Sequence, residues 1–146
     1  MIMDRQLLLS NAQAITATAV STNTIDLATA RDVGIGDNLE LFIKVTTALA
    51  GGTSVQFAFI TSANADLSSA TVIVQTPAIP AASLVAGSEW LRIQVPALSQ
   101  SAAVQRYIGV SYTVVGTFTA GTVTAGLVLD REGAAHYPSG LNVGGF

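Results

Sequence analysis

The sequence predicts an all-β fold, a single-domain antiparallel β-sandwich or jelly roll. Three observations predict it. Apolar residues recur with a period of two through most of the chain, the spacing of side chains that alternate between the two faces of a strand. Clusters of Gly, Pro, Asn, Asp and Ser punctuate these runs at short intervals, as the turns of a many-stranded fold require. No stretch carries a convincing helical period, and no linker or second composition regime interrupts the pattern, so residues 1–146 read as one domain.

The opening, MIMDRQLLLSNAQAITATAVSTNTIDL, is the first element to settle. An export signal needs a basic start and an apolar stretch of about 7–15 residues. Here Asp4 offsets Arg5, and the leucine run is cut short by Ser10, Asn11 and Gln13. Ile15, Ala17 and Ala19 then alternate with Thr16, Thr18 and Val20, and Ile25-Asp26-Leu27 continues in strand residues. No signal peptide is expected; the segment predicts β-structure from near the start, with residues 1–12 as an interacting arm.

VGIGDN at 33–38 predicts a tight turn before a strand at 39–47. Its GIG lacks the last glycine of a dinucleotide-binding loop, and a strand rather than a helix follows, so the helix dipole that would hold phosphate is missing. In that strand Leu39, Leu41, Ile43 and Val45 share one face, opposite Glu40, Phe42, Lys44 and Thr46. TSVQFAFIT repeats Val55, Phe57 and Phe59 on one face. TVIVQT alternates as Val72 and Val74 or as Thr71 and Ile73, and WLRIQV sets Leu91, Ile93 and Val95 against Arg92 and Gln94. RYIGVSYTVV aligns Ile108, Val110, Tyr112 and Val114. Turns are expected at 50–54, 62–70, 77–83, 85–89 and 114–117, and residues 97–103 are either one helical turn or a loop. The stretch 107–129 is uncharged and long enough to span a membrane, but four glycines and its Thr and Val content mark strands and turns, and no membrane role is expected. The tail, DREGAAHYPSGLNVGGF at 130–146, breaks the alternation. It is either an extended arm anchored on a partner through Tyr137 and Phe146, or a disordered or self-packed end.

Composition narrows the function. Half of the residues are hydrophobic, mean hydropathy is +0.55 and only 10% are charged, against about 25% in an average soluble domain. A chain so poor in charge is poorly protected against association, which suggests a surface that neighbours cover. The net charge of −3 and six scattered basic residues provide no phosphate-tracking stripe, so direct nucleic-acid binding is not expected. The absence of cysteine removes disulfides, Cys-ligated zinc and thiol catalysis.

Little chemistry remains. His136 is the only histidine; Ser139 and Glu132 lie near it in sequence, but in a glycine-rich tail with nothing to hold a triad rigid. The acidic residues are dispersed and form no calcium loop. Trp90 is the lone tryptophan; a carbohydrate-binding sandwich would need several aromatics making a platform, so packing in a core or interface is its expected role. No enzyme activity, cofactor or metal is expected.

Three blocks carry a resemblance: MDRQLLLSNAQAITATAVSTNTIDL, RDVGIGDNLELFIKV and RYIGVSYTVVGTFTAGTVTAGLVLD. In this order, with a TAG-rich last strand, the chain resembles over nearly its whole length the jelly-roll capsid cement (decoration) protein family of tailed bacteriophages, the type known from a Bordetella phage head. The resemblance implies a non-catalytic protein of the virion, made in the host cytoplasm and bound to the outer surface of the capsid. Such a protein bridges neighbouring major capsid protein subunits, stabilises the shell and forms homodimers or homotrimers. No motif of functional residues transfers with it. Because arms crossing between subunits staple lattices, the expected capsid or subunit contacts lie at the two chain ends: Met1, Arg5, Leu7, Leu8, His136, Tyr137 and Phe146. The competing expectation is a ligand-binding β-sandwich such as a carbohydrate-binding module.

Overall fold

The computed structural model describes residues 4–27, 39–94 and 104–129. A single 3-10 turn, Arg5–Leu7, with Asp4 accepting from the Gln6 amide at 3.0 Å, leads into the first strand. The strands are β1 (Leu8–Ala14), β2 (Ala19–Val20), β3 (Ile25–Asp26), β4 (Leu39–Ala50), β5 (Ser54–Ser62), β6 (Thr71–Gln75), β7 (Ile79–Pro80), β8 (Glu89–Gln94), β9 (Tyr107–Val115) and β10 (Ala120–Leu129). They form two antiparallel sheets. Sheet A has the order β1-β10-β4-β8; sheet B has the order β2-β9-β5-β6, with β3 also on β9 and β7 also on β5.

β2 and β3 both pair with β9, and β6 and β7 both pair with β5, so each couple counts as one interrupted strand. The order then becomes first-eighth-third-sixth in one sheet and second-seventh-fourth-fifth in the other, which is the jelly-roll arrangement of two interleaved Greek keys. The predicted fold class holds.

The alternations predicted the core well. Leu41, Ile43 and Val45 from β4, Val55, Phe57 and Phe59 from β5, and Ile108, Val110 and Tyr112 from β9 are all buried in one cluster between the sheets. Val123, Ala125 and Leu127 of β10 complete it. Phe57 meets Tyr112 edge-on, with ring centroids 5.9 Å apart at 88°, a favoured aromatic geometry.

Other expectations are revised. Residues 15–18 are not strand, because β1 stops at Ala14 and Ile15 turns into the core, its amide bonding Gly121 O at 3.1 Å. Neither alternation expected of TVIVQT survives: Val72 lies opposite Ile60 and Val74 opposite Phe59, so Ile73 is an inserted bulge residue, and Ile73 and Val74 both pack on the core. A bulge of this kind breaks the period of two.

The segment expected as a plain turn at 62–70 does more than reverse the chain. Leu67 folds back onto the outer face of sheet B and is buried with Ala58 and Ile60, against Ala70 and Tyr107. It occupies the space above Gly109, where a Cβ would lie 2.3 Å from Leu67 Cδ1. Its φ of 58° is left-handed, a conformation that costs a branched residue energy and persists because packing compensates. The expectations for 33–38, 97–103 and 130–146 fall outside the described residues.

Candidate functional site

The two ends of the sandwich differ in charge. At one end the connections are short and tight: 15–18, 51–53, 81–88 and 116–119. None of these segments contains a charged residue. They are pinned to one another, with Thr53 N bonding Val115 O at 2.9 Å, Thr119 N bonding Ala50 O at 2.8 Å and Phe118 N bonding Thr16 O at 3.3 Å. Phe118 is buried between the sheets beneath this end. A Cβ on Gly52 would sit 2.3 Å from its ring, so only glycine lets the turn close over it.

At the opposite end Leu8 lies opposite Gly126, Leu129 opposite Leu39 and Glu40 opposite Gln94. The start of β1, the start of β4, the end of β8 and the end of β10 therefore meet there. Among the described residues, Asp4, Arg5, Glu40 and Arg106 lie at or next to these points. Asp26 is at this end too, where it accepts a bidentate pair from Arg106 at 3.0 and 2.9 Å; that bond is what raises the guanidinium pKa. Arg106 also lies 5.0 Å above the Tyr107 ring, a cation–π distance. Among the described residues, one end of the sandwich is charged and the turns of the other are not.

The uncharged end continues onto the outer face of sheet B. Register places Val20, Ser111, Ala58 and Gln75 in one row across the sheet, Thr113 and Gln56 in the next, and Val115, Ser54 and Pro80 in the last. None of these is charged. Among the described residues, four large apolar side chains stand out as exposed: Val20 at 37%, Val72 at 48%, and Val85 and Val115 at 53% each. Val20 and Val115 belong to these rows, and Val85 lies in the segment 84–88 that runs beside β4, with Leu49 N bonding Leu84 O at 3.0 Å.

The chemically suggestive groups are engaged in holding the fold. Ser10 and Tyr112 are buried, and their hydroxyls lie 2.7 Å apart. Ser10 donates its proton to Gln13 Oε1 at 2.7 Å, so Tyr112 donates to Ser10. Gln13 Oε1 also accepts from Thr22 N at 3.0 Å while its Nε2 donates to Val20 O at 2.8 Å. This chain joins β1 to β9 across the sandwich. Burial pushes the Tyr112 hydroxyl well above its ordinary pKa, and the Ser10 bond opposes that only in part. The phenol stays protonated, which suits a structural donor rather than a base. Trp90 packs against the core and its Nε1 donates to Ser88 Oγ at 2.8 Å, so its ring is not displayed as a sugar platform. Among the described residues no group of three or more His, Cys, Asp or Glu could hold a metal ion, and no helix is long and apolar enough to cross a membrane.

The contact residues expected from sequence are only partly in view. Arg5 is exposed in the 3-10 turn, Leu7 is half-buried against the chain's own core, and Leu8 begins β1 half-buried. From Leu8 onward the expected arm is a strand of sheet A, paired with β10. Met1, His136, Tyr137 and Phe146 lie outside the described residues. Sequence reasoning missed the uncharged end, although the charge-free runs 45–65 and 67–88 signal it; only the register shows that they share an end with 107–129.

The family model described as Bbp16 matches residues 9–127, from the second residue of β1 to the eighth of β10. No curated protein matches the chain.

Proposed function

The chain belongs to the Bbp16 family, named after a Bordetella phage protein, and from that premise we propose that it is a structural capsid cement protein, bound to the outside of a phage head. The observation that carries the reading is the extent of the family match, which coincides with the jelly roll itself. What defines the family is then the whole sandwich rather than an appended element. The low charge and the engagement of Tyr112, Ser10 and Trp90 in packing support a binding role over a chemical one.

The chain bridges neighbouring major capsid protein subunits. It binds the assembled shell and not its dissociated parts, so by mass action it lowers the free energy of the shell. Neighbouring copies on a lattice add avidity, because each further contact forms between partners already held close. Met1, Arg5, His136, Tyr137 and Phe146 are proposed contacts to neighbouring subunits. Made in the host cytoplasm, the chain acts on the finished virion.

The test is add-back to heads assembled without this chain. Cosedimentation at saturating protein and a new jelly-roll density on the head exterior are expected, together with greater resistance of the heads to heat. Heads that neither bind the chain nor carry such density would overturn the proposal.

A further inference from the structure

We propose that the segment 63–69 is a lid on the outer face of sheet B. It closes by seating Leu67 in a hollow over Gly109, and it lifts without unfolding the sandwich. The inference concerns the chain by itself; it goes beyond the capsid reading and does not depend on it.

The hollow is a product of the sheet. Along β5 and β9 side chains alternate, so Phe57, Phe59, Ile108 and Val110 enter the core while Ala58, Ile60, Tyr107 and Gly109 belong to the outer face. Gly109 lies opposite Ile60 and has no side chain to fill the space above it. Leu67 fills that space: a Cβ on Gly109 would lie 2.3 Å from Leu67 Cδ1 and 3.3 Å from Cδ2. Seated there, Leu67 is 3% exposed and buries Ala58 and Ile60 beneath it. The cover of this apolar hollow is therefore the chain's own strap.

Three features make this cover a lid rather than a fixed part of the sandwich. Its cluster is separate from the one between the sheets, so lifting Leu67 leaves the main core closed. The hydrogen bonds that shape the strap are local. Leu67 N bonds Asn64 O at 3.1 Å, Asn64 Nδ2 donates to Ser68 Oγ at 3.0 Å, and Ser62 Oγ, at the hinge where β5 ends, donates to Ser68 O at 2.6 Å. The closed form also stores strain, with φ of 58° at Leu67 and 53° at Ser69, a left-handed region that residues with a Cβ avoid. Burial of one side chain thus holds the strap down, and two strained positions within it push the other way. Opposed local terms with few buried contacts are what let a segment open below global unfolding.

The full chain contains no cysteine, so one placed under the lid reports its opening. In Ala58→Cys the thiol lies beneath Leu67, and its rate of modification by an aromatic disulfide reagent is the readout. That rate should stay level in urea below the unfolding transition, because lifting the strap exposes little surface. Adding Leu67→Ala removes the plug and should speed labelling at least tenfold. Adding Ser69→Pro should do the same with Leu67 and the hollow intact, because the proline ring holds φ at about −65° and excludes the closed turn. In that variant the Phe57 and Val110 amides, which belong to the main core, should stay protected against hydrogen exchange. Labelling that climbs with urea from the start, or that neither added substitution speeds, overturns the lid. So does a Ser69→Pro chain that loses protection at Phe57 and Val110, because the strap is then inseparable from the sandwich.

Discussion

The Tyr112–Ser10–Gln13 relay makes a prediction that depends on the direction of its protons. Tyr112 and Ser10 are both 0% exposed. Tyr112→Phe removes one donor from Ser10, but Ser10 keeps its own bond to Gln13. The loss is one hydrogen bond between neutral groups, about 1 kcal/mol. Ser10→Ala does more damage: it leaves the buried phenol without its acceptor and takes a donor from Gln13, which together cost about 2–3 kcal/mol. In the double variant the stranded phenol is gone, so the total should fall short of the sum by about 1 kcal/mol. Urea unfolding of the four proteins, followed by fluorescence of the lone Trp90, measures all three quantities provided the m-values agree. Equal costs for the two single variants, or strict additivity, would refute the proton assignment and the structural role built on it.

Three further outcomes follow from the same geometry. The Tyr112 pKa is raised in the folded chain, so the unfolded chain ionises first; the contribution of Tyr112 to stability should be level below about pH 10 and fall above it by about 1.4 kcal/mol per pH unit, and Tyr112→Phe should lose that extra slope. Gly109→Ala puts a Cβ 2.3 Å from Leu67 Cδ1 and 2.9 Å from Ser21 Oγ, an overpacking that should cost about 1–3 kcal/mol and be partly rescued by adding Leu67→Ala in the same denaturation assay. Thr76→Val removes the hydroxyl that accepts from the buried Phe57 amide at 3.1 Å, for a loss of about 1–3 kcal/mol; a drop in melting temperature of several degrees checks it.

What the sequence made legible was whatever a strand imposes on its own residues. The runs around Leu41, Phe57 and Val110 each send alternate residues into the core, because the period of two is a local property that tertiary contacts reinforce. What it hid depends on pairing. The bulge at Ile73 is fixed by β5 and not by TVIVQ, which fits either alternation. Leu67 sits in a stretch of Asn, Asp and Ser that signals only a turn, where Ser68 donates to Asp66 from both its amide and its hydroxyl and lowers the carboxyl pKa; nothing local says that the turn must return to cover Ile60. Ser10 and Tyr112 are 102 residues apart in sequence, and no motif announces a bond between them.

Jelly-roll order also explains why one end collects charge. The fold places its first and last strands side by side, so β1 begins beside the far end of β10, and the pairing of β10 with β4 and of β4 with β8 brings the start of β4 and the end of β8 to that same end. The turns at the other end are held to a few residues by the close approach of the sheets, as Gly52 against Phe118 shows, and they favour small or conformationally restricted residues. Those are also the residues least costly to desolvate. In this chain, therefore, the geometry that closes the sandwich at one end and the low cost of desolvating that end arise from the same short turns.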